Sequence, residues 1–180
     1  IKRTVLTSST PLMSFTQVSD YRMISEQVEN RIVNANGLTK LKQDMGFDQL
    51  RFYCHQKSVG RTFHIITNNN TQGRDVVRSM VVRFLPQVKA CDSFTALPDD
   101  NSVLSRCCDK WGYKNGREAD VWGTNYAGFQ GKDRLYYKSA FWSKGKKKGY
   151  LSVFIPRPSY RCDSDSPLLS QGDTFEIYVR

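Results

Sequence analysis

Between positions 47 and 67, apolar and polar side chains alternate with a period of two. Phe47, Leu50, Phe52 and Cys54 interleave with Arg51, Tyr53 and His55, and the β-branched run 62–67 follows a turn signal at Ser58-Val59-Gly60. Successive side chains on a strand point to opposite faces, so this pattern predicts two strands joined as a hairpin. The last run, 174–180, repeats the alternation, with Phe175, Ile177 and Val179 on one face and Thr174, Glu176, Tyr178 and Arg180 on the other. Another hairpin is predicted from residues 134–142 and 149–155, which flank the tip Lys144-Gly145-Lys146-Lys147-Lys148.

Helical spacing occurs in three places. Tyr21, Ile24, Val28 and Ile32 recur at helix intervals after Ser19 and Asp20, either of which can accept the first amides, and Asn36-Gly37 reads as the stop. A second, short helix is expected over 38–45, ended by Gly46, and a third over 73–84, ending before Pro86. Residues 86–131 are dense in Gly, Pro, Asn and Asp turn signals and read as long loops with short strands. Residues 1–18 read as an N-terminal arm or edge strand and 19–180 as one domain, with no fixed-period repeat and no linker-like tract. The fold class expected is α+β, mainly an antiparallel sheet with one or two packed helices in a disulfide-stabilised single domain.

Composition narrows the class. The chain of 180 residues is 39% hydrophobic, 24% charged and 12% aromatic, which excludes a disordered or collagen-like polymer. No apolar stretch approaches the roughly 20 residues of a membrane-spanning helix. The 27 basic against 17 acidic side chains leave a net charge of +10, which predicts attraction to a polyanion without choosing among glycans, lipids and nucleic acids. Ile1-Lys2-Arg3, with no initiator Met, reads as a mature end.

The five cysteines, Cys54, Cys91, Cys107, Cys108 and Cys162, lack zinc-site spacing and fit disulfides in an oxidising compartment. Adjacent cysteines rarely bridge each other, so the doublet splits. The favoured framework joins Cys91 to Cys108 and Cys54 to Cys162, although four cysteines allow three connectivities. Cys107 is then left without a bridge inside the chain, or links two copies in a homodimer. One sequon, Asn69-Asn70-Thr71, lies in a polar tract suited to a glycosylated surface loop.

Four groups of residues could carry chemistry. Lys144, Lys146, Lys147 and Lys148 at a hairpin tip form a polyanion site in outline, or a solvated turn that blocks edge pairing. The glycine-rich stretch 111–126 contains indoles, amides and carboxylates of the kind that build sugar sites, and its candidates are Asp120, Trp122, Asn125 and Tyr126. The competing reading makes Trp111 and Trp122 buried pins of irregular loops. Asp99-Asp100 and Asp163-Ser164-Asp165 could offer oxygens to calcium, but without an EF-hand register they read more simply as turn and cap residues. His55 and His64, with Lys57 and Arg61 nearby, could run acid–base cleavage of a phosphodiester, or serve as hydrogen-bonded structural imidazoles. No nucleotide-binding or hydrolase fingerprint and no cofactor motif is present.

Several strings together resemble a secreted module of corals and sea anemones, found alone or joined to lectin-like and skeletal-matrix proteins. They are Leu50-Arg51-Phe52-Tyr53-Cys54-His55, Gly60-Arg61-Thr62-Phe63-His64-Ile65-Ile66-Thr67, Leu97-Pro98-Asp99-Asp100-Asn101-Ser102, Cys108-Asp109-Lys110-Trp111-Gly112 and Gly172-Asp173-Thr174-Phe175-Glu176-Ile177-Tyr178-Val179-Arg180. The resemblance spans residues 46–180 and implies an extracellular protein in which Cys54, Cys91, Cys108 and Cys162 match the recurring cysteines. Cys107 departs from that pattern. No binding residues carry over from it, and the lysine tip lies outside the matched strings.

The function expected is a secreted, non-enzymatic, lectin-like recognition protein that binds glycans or acidic extracellular polymers. It needs no cofactor, metal or membrane span, and nucleic acid is the disfavoured polyanion. Two alternatives are a structural matrix protein without a small ligand and a ribonuclease-like phosphodiesterase using His55 and His64.

Overall fold

The computed structural model describes residues 2–5, 16–24, 31–81, 88–114, 117–122, 141–143, 149–154, 159–163 and 172–180. Its central ladder pairs β4 (Leu50–Gln56) with β5 (Arg61–Thr67) antiparallel, with Tyr53 opposite His64. The period-two pattern sets which side faces the core. Leu50, Phe52, Cys54 and Gln56 are buried, as are Phe63, Ile65 and Thr67, while the residues between them are half-buried. A single 3₁₀ turn, Lys57–Val59, joins the strands, and Gly60 follows at φ 60°, a left-handed backbone that glycine adopts without steric cost.

The other strands extend this hairpin on both sides. β12 (Thr174–Val179) pairs with β4, placing Phe175 opposite Cys54, and β1 (Lys2–Val5) forms the edge beyond it. β6 (Phe94–Ala96) lies outside β5, which gives the antiparallel order β1-β12-β4-β5-β6. On the core face, α1 (Ala35–Met45) packs against α2 (Thr71–Val81), which packs on β5. Leu38, Val76, Val77 and Met80 from the helices meet Phe52, Phe63 and Ile65 from the sheet in one buried cluster. The fold is α+β, as the sequence pattern predicts.

A smaller antiparallel sheet orders β9 (Phe141–Ser143), β10 (Gly149–Phe154) and β11 (Ser159–Cys162) as β11-β10-β9. Ser143 stands opposite Gly149, so the strands flanking the lysine run are paired, whereas the run itself lies outside the described residues. Two-residue strands Tyr113–Lys114 and Arg117–Glu118 (β7 and β8) pair with each other. Disulfides join Cys54 to Cys162 and Cys91 to Cys108, the framework favoured from the sequence, and the first ties β11 to the centre of the large sheet. Among the described residues no helix is long and apolar enough to cross a membrane.

The helix expected from residue 19 does not form over the described part of that segment. Thr16–Val18 (β2) and Arg31–Val33 (β3) are parallel strands, with Val18 opposite Val33, and Tyr21–Met23 is a single 3₁₀ turn. Asp20 caps only that turn, accepting from the Arg22 amide at 3.0 Å. The β-branched residues Val18, Ile32 and Val33 suit strands, and their pairing outweighs a helical spacing of four apolar positions. The helix starts instead at Ala35, capped by the Asn34 side chain, which accepts from Gly37 N at 3.1 Å. Gly37 is therefore not a stop. A Cβ there would lie 2.5 Å from Val33 Cγ1 and 3.2 Å from the carbonyls of Val18 and Ser19, so glycine lets the helix approach β2 and β3. The stop at Gly46 is as expected, with φ 63° and its amide on Lys42 O at 2.8 Å.

The two crosslinks differ in the span they close, 108 residues for Cys54–Cys162 and 17 for Cys91–Cys108. Loop-closure entropy predicts that Cys54→Ala/Cys162→Ala lowers stability by about 4–5 kcal/mol and Cys91→Ala/Cys108→Ala by about 3 kcal/mol. Urea unfolding of the two double variants checks the order, and an equal or reversed loss contradicts it.

Candidate functional site

The described part of the stretch nominated for sugar binding, 111–114 and 117–122, contributes two buried indoles. Trp111 and Trp122 have no exposed surface and meet edge to face at 5.3 Å, with Phe94 stacked on Trp111 at 4.8 Å. Each indole satisfies its N–H internally, Trp111 on Leu104 O at 2.9 Å and Trp122 on Ser93 Oγ at 2.8 Å. Asp120 sits at φ 49°, a region that Asp tolerates better than most residues. Its Oδ1 accepts from Cys91 N at 2.7 Å and Ala90 N at 3.2 Å. Trp122 and Asp120 therefore pin the loop at 88–93 to the sheet. Trp122 presents no stacking face to solvent, whereas Asp120 is half-buried and keeps Oδ2 3.7 Å from the exposed Lys89 Nζ. Asn125 and Tyr126 lie outside the described residues.

One residue of each acidic cluster, Asp100 and Asp163, accepts from backbone amides as the turn-and-cap reading predicts, while Asp165 lies outside the described residues. Asp100 accepts from His64 N at 2.6 Å and Ser102 N at 3.1 Å, and Ser105 Oγ donates to it at 2.5 Å. Asp163 is fully buried and accepts from Val103 N at 2.7 Å and Leu104 N at 2.9 Å, with Arg61 Nη1 at 3.4 Å. Asp173, also buried, accepts from Lys57 N at 2.8 Å. Among the described residues no group of three or more His, Cys, Asp or Glu could hold a metal ion.

His55 and His64 lie on the sheet face opposite the core, as alternation along β4 and β5 requires. The register puts His55 opposite Thr62 and His64 opposite Tyr53, so the imidazoles are diagonal neighbours across the ladder. His64 Nδ1 meets Asp99 Oδ1 at 2.5 Å and its ring meets Tyr53 edge to face at 5.0 Å; His55 Nδ1 meets Thr62 Oγ1 at 2.9 Å. Both rings are thus held from one nitrogen by local partners. His64 Nε2 and Arg51 Nε are buried without a hydrogen bond.

Sequence reasoning missed what β12 adds to this face. Arg51 lies over the Tyr178 ring at 3.8 Å, and Tyr178 donates its hydroxyl to Glu176. Burial, followed by the bond to Glu176, pushes the Tyr178 phenol up. Alternation in 174–180 placed Glu176 and Tyr178 on one face, but nothing local to that segment names β4 as its neighbour.

Cys107 takes part in neither disulfide; it is half-buried, with Sγ 3.8 Å from Leu104 O. The exposed cations include Lys57, Arg106, Lys110 and Arg117. No protein-family model matches the chain, and no curated protein and no solved structure is significantly similar to it.

Burial pushes the Asp163 carboxyl above its ordinary range, against the opposing pull of the Val103 and Leu104 amides and Arg61. A carboxyl raised on folding stabilises the fold below its unfolded pKa and loses that contribution as pH rises through its folded value. The native chain is expected to lose stability relative to Asp163→Asn as pH rises from about 3 to about 7. Urea midpoints across that range check this, and a gap that stays constant or moves the other way contradicts burial as the dominant cause.

Proposed function

We propose that the protein is a secreted, non-enzymatic recognition module whose ligand is an acidic extracellular polymer such as a sulfated or carboxylated glycan. The observation that carries this reading is an excess of exposed cations: among the described residues they outnumber the exposed carboxylates, which are Asp44, Asp48, Asp92, Asp99 and Asp109. Asp100, Asp120, Asp163 and Asp173 are turned onto backbone amides. Lys57, Arg106, Lys110 and Arg117 stay exposed within a chain of net charge +10. A solvated cation attracts a polyanion over a Debye length of about 10 Å at 0.1 M salt, whereas a buried carboxylate capping a turn offers it little repulsion. The two disulfides support an extracellular address, as does the resemblance to a coral and sea-anemone module. The lysine run at 144–148, between paired strands β9 and β10, is the proposed centre of the contact.

Immobilised heparin, as the probe, is expected to retain the protein in dilute buffer and release it by about 0.5 M salt, where exposed ion pairs are screened. A neutral galactose matrix is expected to let it pass. Replacing Lys144, Lys146, Lys147 and Lys148 with Ser lowers the salt needed for elution. Passage through heparin in dilute buffer overturns the reading, and unchanged elution of the quadruple variant moves the contact elsewhere.

A second reading, a ribonuclease-like phosphodiesterase, is favoured by the common sheet face of His55 and His64. Two imidazoles can supply the base and the acid for such a cleavage. Against it stands the retention of both Nδ1 atoms by Thr62 and Asp99. The recognition reading expects RNA incubated with the protein to stay at the blank rate. Cleavage that disappears in the His55→Ala/His64→Ala variant would establish the enzyme instead.

A further inference from the structure

Three consecutive asparagines connect β5 to α2, and the fold treats the middle one differently. Asn68 is tied at both ends of its amide, donating from Nδ2 to Asp92 O at 2.9 Å and accepting at Oδ1 from Thr95 Oγ1 at 2.6 Å. Asn70 is tied likewise, donating to Asp92 O at 3.0 Å and accepting from Gly73 N at 2.8 Å, which makes it the cap of α2. Asn69 is exposed and engaged only through its oxygen, which accepts from Arg74 Nη2 at 3.0 Å and Nε at 3.3 Å.

That contact decides which way the amide points. A guanidinium offers only donors, so the oxygen must face Arg74, and a flipped amide would set donor against donor. The nitrogen is thereby turned away from Arg74, with no acceptor among the described residues. Asn69 is also the one asparagine of the chain followed at the second position by Thr or Ser with no intervening Pro, and that residue, Thr71, is exposed at the start of α2.

We infer that Asn69 is an N-glycosylation site occupied in the native protein, an inference that rests on the secretory route proposed above. In the transfer, the Asn69 amide nitrogen attacks the anomeric carbon of a lipid-pyrophosphate-linked oligosaccharide. A carbon–nitrogen bond forms, the anomeric carbon–oxygen bond breaks, the lipid pyrophosphate leaves, and the amide proton passes to a base of the transferase. Transfer acts on the nascent chain, so the folded molecule has only to accommodate the product. Here it does so at no structural loss: one solvent-facing hydrogen is replaced, and Oδ1 remains to accept from Arg74. A glycan on Asn68 or Asn70 would instead attach to a nitrogen that already donates to Asp92 O at the start of α2.

The test places the full chain behind the cleavable leader of another secreted protein in a eukaryotic cell line. Every molecule recovered from the medium has then crossed the transferase compartment, whatever the native address. The expected product carries a mass excess over the polypeptide that peptide N-glycosidase removes. Asn69→Gln and Thr71→Ala abolish the excess, and Thr71→Ser retains it. Secreted protein with the bare polypeptide mass overturns the inference, as does an excess that persists in Asn69→Gln. The secretory reading is judged separately, by whether the native protein is found outside the cells that make it.

Discussion

The covalent link between Cys54 and Cys162 is the constraint on which the arrangement depends. Cys54 lies on the core face of β4, flanked in the sheet by Phe63 and Phe175, and both sulfurs are shielded from solvent. The bond fixes the end of β11, and the next residue uses that position at once. Asp163 reaches the amides of Val103 and Leu104 and the guanidinium of Arg61, so a sheet, a turn and a strand meet at one point. If the side-chain parity of β4 slipped by one residue, Cys54 would face outward and this junction could not form.

Around that junction the irregular segments are held from inside. The bridge from Cys91 to Cys108 and the paired indoles at 111 and 122 do for residues 88–114 and 117–122 what hydrogen-bond ladders do for the sheet. Polar atoms that a sequence reader would assign to a ligand are engaged in this work. Asp120 Oδ1 satisfies the Cys91 amide and shares that of Ala90 with the Asp120 carbonyl, and Ser93 receives an indole proton. Among the described residues, Trp111 and Trp122 offer no indole face to solvent.

Much of this was legible where local rules suffice. The alternation in 50–56 and 61–67, the left-handed glycines 46 and 60 and the terminal strand follow from steric and periodic constraints that neighbours do not override. The segment from 19 to 36 misled because helical spacing says nothing about partners. Val18 and Val33 meet across a parallel pair, and the true cap, Asn34, is a poorer signal than the Asn36-Gly37 after it. For the tryptophans both readings stand open in the sequence, and the burial of Trp111 and Trp122 bears out the one that made them pins. An indole at a binding surface and an indole in a core have the same sequence context, and only the location of the acceptors, Leu104 O and Ser93 Oγ, distinguishes them. For the outer sheet face, the histidines were visible but Glu176 and Tyr178 were not, since β12 reaches β4 from the far end of the chain.

The span between Cys54 and Cys162 also sets a schedule for biosynthesis. A ribosome delivers Cys54 first and its partner 108 residues later. Throughout that interval Cys91, Cys107 and Cys108 emerge while the correct mate is still missing. Thiolate attack does not distinguish mates by sequence, so early mispairings have to be reshuffled once β11 arrives. Thiol–disulfide exchange after β11 has been made is therefore what can turn an early mispairing into the native bond.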